Sequence, residues 1–467
     1  MLTLGVTESV CHTCRRLVPA KVVSDGEDVF FEKFCRAHGS TRSLVRRGLD
    51  DYLRTLRHVK PAWLPLQSAG QSSVACPDGC GFCARHEQHV CMQIVEITTR
   101  CDLACPICLV DAGGAWDMTH AEFARMLDAL IAAERQIDIL NLSGGEPLRH
   151  PQLLPLVDEA MSRPEIVRVS ISTNGLALLC QPELLAQLRD RRVVLSLQFD
   201  GFRDEVYTAL RGRPLLAEKL RILELLCAAG MTTSLTMTAA GGVNEDQLPR
   251  VLEYFFAQPH VVSLMIQPLA FAGRLDGRCR LADAPANENR LTIPDVVQRL
   301  AESGVPAVRA QDFHPLPCSH PLCFSLAFYL MLDGGGAVSL GRLVDAPQWL
   351  DALANRTVFG LDEGEQQRMK DMIYDVWSGP IGTAPDGEAV LRTLRRMLEE
   401  MSGTCFDPRW AFTITERRVK SIFIHAFQDA ETFDLARVRR CCNGYPQTDG
   451  TVSPACVHNV RRRFPVR

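Results

Sequence analysis

Residues 92–108 read MQIVEITTRCDLACPIC, a short β-branched run followed at once by three cysteines, Cys101, Cys105 and Cys108. Met92 to Thr98 has the composition and alternation of a strand. Gaps of three and then two residues let three thiolates wrap one corner of a cubane and leave the fourth iron without a protein ligand. Electron-transfer clusters take four cysteines, whereas an open coordination position marks a catalytic metal site. Alone, the triplet also admits zinc with a distant fourth ligand.

Working outward, five more runs read as strands: Ile137 to Leu142, Val167 to Ser172, Val193 to Phe199, Thr233 to Thr238 and Val261 to Gln267. Helical patterns fill the intervals. In residues 121–133, Phe123, Met126, Leu127, Leu130 and Ile131 share one face at three- and four-residue spacing. Thr119 and Glu122 form a capping box that starts this helix. Six β/α units joined by right-handed crossovers give a parallel sheet. A doubly wound sheet fits too, but loops carrying Cys, Gly and Glu after the strand ends favour a partial (β/α)6 barrel with chemistry at its C-terminal face. One such loop is Ser143-Gly144-Gly145-Glu146-Pro147, where two glycines admit close backbone approach and Glu146 adds a carboxylate.

The chain has 467 residues, 46% hydrophobic and 23% charged, with a net charge of −4, so it carries a sizeable core and no broad footprint for nucleic acid. No stretch approaches the ~18 apolar residues of a membrane span; Phe324 to Leu332 reads as a buried strand. Met1 to Val10 contains Glu8 and no basic region, so a cytoplasmic location is expected. There, 19 bunched cysteines argue for metal rather than disulfides. Cys11-x-x-Cys14 with Cys35-x-x-His38 is a metal-knuckle pattern, zinc by default and open to iron, with His12 exposed. Cys76, Cys80, Cys83 and Cys91 are four soft ligands for an auxiliary [4Fe–4S] cluster or zinc, with His86 and His89 as alternatives to Cys91. Cys318, Cys323, Cys441, Cys442 and Cys456 are dispersed, and Cys442 is the favoured one of its pair. The isolated Cys180, Cys227, Cys279 and Cys405 read as small buried hydrophobes. Four regions follow: a metal-knuckle domain at 1–60, an auxiliary-cluster segment at 61–91, the barrel at 92–275 and a C-terminal auxiliary-cluster domain at 276–467.

The cysteine triplet after strand one and the Gly-Gly-Glu-Pro after strand two resemble the radical S-adenosylmethionine (SAM) superfamily. The resemblance implies a [4Fe–4S] cluster on Cys101, Cys105 and Cys108, with SAM at the open iron and its amino group at Gly144, Gly145, Glu146 and Pro147. It also implies polar cofactor contacts from Ser172 and Asn174 near the ribose, from Ser196 and Asp200, and from Gln267 near the adenine. Each of these strand-end residues reads equally as a turn former.

Over nearly the full chain, the arrangement resembles tetraether lipid synthase and the dihydropterin methyltransferase-like radical SAM enzymes. Besides the cysteines, the stretches that carry it are Gln198-Phe199-Asp200-Gly201, Leu210-Arg211-Gly212, Gly242-Val243-Asn244, Gln267-Pro268 and Gly273-Arg274. It implies two auxiliary [4Fe–4S] clusters, Cys318, Cys323, Cys442 and Cys456 as the second set, and a rubredoxin-like mononuclear iron or zinc. The expected activity is reductive cleavage of SAM followed by C–C bond formation at an unactivated carbon, through alkyl-chain coupling or one-carbon addition. A flavodoxin or ferredoxin would supply the electron. The substrate is a small molecule or a lipid, the latter implying transient membrane contact. A lipid coupler calls for a long apolar cavity open to the cluster, a pterin-type methylase for a compact polar pocket with stacking groups. The competing reading is a non-catalytic iron–sulfur protein for electron transfer or redox sensing.

Overall fold

In the computed structural model, the described residues are 1–67, 76–77, 85–110, 112–275, 280–281, 284–285, 289–343, 350, 355–356, 367, 371, 374, 387–402, 416 and 418–462. Cys80, Cys83, Cys279 and Cys405 lie outside them.

The N-terminal segment, expected to be a metal-knuckle domain, folds into a four-stranded antiparallel sheet. Its strands are β1 (Leu2–Val10), β2 (Leu17–Ser24), β3 (Val29–Cys35) and β4 (Gly39–Arg46), paired in chain order. The cysteines occupy its turns, so the ladder orients them while the metal knuckles close the ends.

The six expected strands all form, each within two residues of its reading: β5 (Met92–Thr98), β6 (Ile137–Gly144), β7 (Ile166–Thr173), β8 (Val194–Gln198), β9 (Thr233–Ala239) and β10 (Val261–Pro268). Neighbours pair in parallel in chain order. The first crossover helix, α1 (His120–Glu134), begins with the expected Thr119–Glu122 capping box and buries Phe123, Met126, Leu127 and Leu130. Such a cap contributes ~1 kcal/mol, less than the ~1.5–3 kcal/mol from fully burying any one of those side chains.

Strand periodicity decides what faces where. On β7, Val169 and Ile171 enter the apolar core shared with the helices, while Arg168, Ser170 and Ser172 point to the opposite face. β8 sends Leu195 and Leu197 to the core and Ser196 and Gln198 inward; β9 does the same with Leu235 and Met237 against Ser234, Thr236 and Thr238. Barrel interiors are ordinarily filled by branched apolar side chains. Here a layer of small hydroxyls leaves a cavity of about 420 Å³.

The C-terminal segment extends this sheet at both edges. Val419–His425 pairs in parallel with β10, Phe324–Met331 pairs antiparallel with Val419–His425, and Asn443–Pro446 pairs in parallel with β5. Phe324 from one edge and Tyr445 from the other line the same cavity, so the sheet curves around it. No helix among the described residues is long and apolar enough to cross a membrane.

Candidate functional site

Backbone contacts hold the loop after β5 on both sides. Gly145 N–H donates to Thr98 O at 2.8 Å and Glu146 N–H to Arg100 O at 2.6 Å. A Cβ on Gly144 would collide with Thr98 O, and one on Gly145 with Arg100 O, which is why this turn takes two glycines. From the far end of the barrel, Gly273 abuts Cys108 O, Arg274 N–H donates to that oxygen at 2.9 Å, and the Arg274 guanidinium donates to Ala112 O at 2.6 Å. Thr98 is buried and donates to Asp117, which also pairs with Arg100.

Cys101, Cys105 and Cys108 line one cavity of about 240 Å³ together with Gly144, Gly145, Glu146, Ser172, Asn174, Ser196 and Gln267. The structure thus brings the sequence-predicted cofactor residues to one mouth, apart from Asp200 and Pro147, which are buried beside it. Burial pushes the Cys101 thiol up to about 12 and raises that of Cys108. The three sulfurs do not all lie within 4.8 Å of one another. Three soft donors spread this widely suit the corners of a cluster better than the ~3.8 Å edge of a tetrahedron with ~2.3 Å metal–sulfur bonds.

Behind the mouth sits a polar network that the spacing of motifs did not reveal. Glu146 accepts from Thr173 Oγ1 at 2.7 Å, Leu148 N at 3.1 Å and Asn174 N at 2.7 Å; its burial raises its pKa to about 7 despite these donors. Asp200 receives two bonds from Arg211, at 2.7 and 2.9 Å, and one from Thr238 N at 3.0 Å. Arg211 also lies against the Cys105 thiol, and its pairing with Asp200 outweighs burial and keeps it charged. Lys219, fully buried, donates to Asn174 O at 2.6 Å, Gln198 O at 2.7 Å and Gln198 Oε1 at 2.8 Å. It ties the ends of β7 and β8 together. Arg211 stood inside a quoted motif, but nothing in a helix pattern distinguishes a buried Lys219 from a solvated one.

The knuckle residues converge. Cys11, Cys14, Cys35 and His38 offer four ligand atoms within 4.8 Å of one another, with Cys14–Cys35 at 3.9 Å and Cys35–His38 Nδ1 at 3.5 Å. That is the geometry of a single tetrahedral ion, and His12 is exposed beside it, as expected. The auxiliary cysteines distribute differently from their sequence grouping. Cys91 meets Cys318 and Cys442 within 4.8 Å, whereas Cys76 packs against a separate apolar cluster that includes Val438, Val457 and Val460. Cys323 and Cys456 face Arg437, and Cys441 faces them rather than Cys318. The adjacent Cys441 and Cys442 therefore point to different places. His86 Nε2 lies 2.8 Å from Cys441 O, and His89 Nε2 lies 2.6 Å from Asn355 O and 3.6 Å from the Cys91 thiol. Cys180 and Cys227, read as buried hydrophobes, are exposed, one just past a short 3-10 turn and one on the outer face of a helix.

Residues 95–255, which contain the cysteine loop and all but the last of these strand ends, match the radical SAM superfamily. The chain carries a radical SAM domain. It is a radical SAM enzyme, which displaces the electron-transfer reading, and the family implies a [4Fe–4S] cluster and SAM. Residues 3–47 match the HMPTM N-terminal zinc ribbon domain. Among similar proteins, a 7,8-dihydro-6-hydroxymethylpterin dimethyltransferase of Methanocaldococcus jannaschii is 23% identical over 98% of this chain and 94% of its own length. A GTP 3',8-cyclase of Chlorobaculum tepidum is 31% identical over 41% of this chain and 60% of its own. Among solved structures, Streptococcus suis SuiB bound to the precursor peptide SuiA covers 46% of each chain at 13% identity, with a TM-score of 0.37.

Proposed function

We propose that this radical SAM enzyme forms a C–C bond at an unactivated carbon of a compact, polar, ring-shaped substrate of pterin type, by one-carbon addition rather than alkyl-chain coupling. The observation that carries this reading is the inner cavity. It shares Leu109, Val110, Ser172, Gln198 and Gln267 with the cysteine-lined mouth, so the two are continuous. Ser, Thr and Asn side chains of β6 to β9 stand on its walls among Met, Val, Ile and Leu, with aromatic rings at one side where Phe324 and His425 stack at 3.8 Å. At about 420 Å³ it lies toward the small end of the ~300–1,000 Å³ of ligand pockets. The row Asn141, Ser170, Ser172, Ser196 and Thr236, whose members pair with one another, offers a polar ring partners that a long alkyl chain would not use. The full-length similarity to a protein named as a pterin dimethyltransferase supports the same reading.

In this reading Cys101, Cys105 and Cys108 hold the [4Fe–4S] cluster. When bound, cluster and SAM would supply one-electron chemistry at the sulfonium and hydrogen-atom abstraction at carbon. Glu146 would orient the SAM amino group, Ser172, Asn174 and Ser196 would hold the ribose, and Gln267 would hold the adenine. Asp200 and Arg211 brace Gln198 and the Cys105 side of the loop. Lys219 fixes the strand ends on which Asn174 and Gln198 ride. The curved barrel wall shields the reacting carbon from water. Cys11, Cys14, Cys35 and His38 hold one zinc or iron ion. Cys91, Cys318 and Cys442, and the group of Cys323 and Cys456, supply soft ligands for further metal or iron–sulfur centres. A low-potential flavodoxin or ferredoxin serves as reductant.

The test is anaerobic reconstitution with iron and sulfide, then SAM and dithionite, with 6-hydroxymethyl-7,8-dihydropterin or a long-chain glycerol lipid. Substrate-dependent 5'-deoxyadenosine with the pterin is the expected result. Stimulation by the lipid alone overturns the proposal.

A further inference from the structure

We propose that the floor of the inner cavity recognises a 2-amino-4-oxopyrimidine edge, the hydrogen-bonding face common to pterins and guanine, with Glu416 as acceptor and Arg168 as donor. This rests on the reading of the cavity as a compact polar substrate site.

Arg168, Ser170 and Ser172 form one inward row of β7. Ser172 stands at the mouth, and four residues at ~3.3 Å each place Arg168 ~13 Å deeper. There it pairs with Glu416 through Nη2 and Oε2, the two side chains being only 11% and 16% exposed. Among the described residues, Glu416 is the one acidic side chain on the cavity wall, and its Oε1 accepts no hydrogen bond. A buried ion pair adds little stability over apolar residues of similar size, so a pair on a cavity wall bears on what the cavity holds. An anionic ligand would meet Glu416, and a cationic one Arg168. A neutral edge that donates two N–H groups and accepts at an adjacent oxygen satisfies both at once. The carboxylate takes the ring N–H and the exocyclic amine side by side, while the guanidinium meets the carbonyl. Above the floor, Asn141 joins Ser170 and Ser172 at 2.9 to 3.2 Å, giving the ring further polar partners. A fused two-ring heterocycle anchored in this way turns its opposite edge toward Ser172 and the cysteine-lined mouth, where the reacting carbon belongs.

Equilibrium dialysis of the full-length, SAM-loaded protein tests this with three probes: 6-hydroxymethylpterin, guanosine, and 6-hydroxymethyllumazine, in which oxygen replaces the 2-amino group. The expected result is pterin binding at least about tenfold tighter than lumazine, because the lumazine leaves the carboxylate facing an acceptor. Glu416→Gln should abolish most of that preference. Tight guanosine binding with rejection of the pterin assigns the same edge to a purine. Equal affinity for pterin and lumazine in the wild type, or a Glu416→Gln protein with the wild-type preference, overturns the assignment. The wild-type ratio needs no variant, so misfolding of Glu416→Gln does not remove the test. Pterin turnover with no lumazine discrimination defeats the floor assignment alone, whereas turnover of a lipid without ring binding defeats the compact-pocket reading as well.

Discussion

The ribbon at the N-terminus and the loop after β5 both gather sulfur, yet they do so at different scales. In the ribbon, four donors from two hairpin-like turns crowd within 4.8 Å; in the loop, three thiols from one eight-residue stretch do not. The antiparallel ladder brings distant chain segments together, with Cys35 opposite Gly39 at the end of the β3–β4 pairing, and so closes a tetrahedron. The loop is a single strand-end excursion pinned from outside by Gly144, Gly145, Gly273 and Arg274, which leaves its sulfurs spread and facing a cavity. One arrangement leaves no room for a further ligand. The other opens toward one.

Substituting one cysteine in each region gives the largest expected effect. Cys105→Ser should abolish SAM cleavage and remove one cubane's iron and sulfide, while the ribbon keeps its ion. Cys35→Ser should lose a single ion with no sulfide and, because metal binding supplies the folding free energy of such small sites, expose residues 1–47 to limited proteolysis. Paired metal and sulfide analyses check both. If Cys35→Ser also stripped the sulfide assigned to Cys101, Cys105 and Cys108, the two sites would not be independent.

Glycine substitution sharpens the same contrast at smaller magnitude. A Cβ on Gly145 meets backbone oxygen and carbon that cannot swing away, whereas Gly5 in the ribbon has nothing within 4 Å. Gly145→Ala is expected to cost about 1–3 kcal/mol, as overpacking does, and to weaken SAM binding by tenfold or more; Gly5→Ala should leave both unchanged. Thermal melts and SAM dialysis read the two. Equal tolerance at the two positions would show that the close approach at Gly145 is not needed.

Much of this was readable from residue order because the deciding interactions are local. The Cys101–Cys108 spacing, the Thr119–Glu122 cap and the period-two strands each reside within a few positions, and the structure keeps them in place. The knuckle pairs were legible for the same reason. What escaped depends on contacts far apart in the chain. Cys91 meets Cys318 and Cys442 only because Asn443–Pro446 pairs with the start of β5. Lys219 is silent in a helix pattern because its burial is decided by the carbonyls of Asn174 and Gln198 on other elements. The hydroxyl lining of the cavity was present all along in alternations such as Ser170-Ile171-Ser172 and Ser234-Leu235-Thr236, but only the curvature of the sheet turns those residues toward one another.

The smallest effect concerns the proton on Glu146, a group with no counterpart in the ribbon. Its ordinary value of 4.5 is raised to about 7 by burial. Between those values the folded chain holds a proton that the unfolded chain has released, so the protein without cofactor loses stability as pH rises from 4.5 toward 7. Binding the ammonium group of SAM requires the ionised form and reverses the preference. SAM affinity is therefore expected to fall as pH drops below about 7, by no more than about tenfold per unit, and to level off above about 8. Glu146→Gln should bind SAM more weakly and show a flat profile over the same range. Metal content of the ribbon should not change between pH 6 and 8 in either protein. Identical SAM affinity at pH 6 and pH 8 in the wild type would detach Glu146 from the amino group and move that contact to the backbone of Gly144 and Gly145.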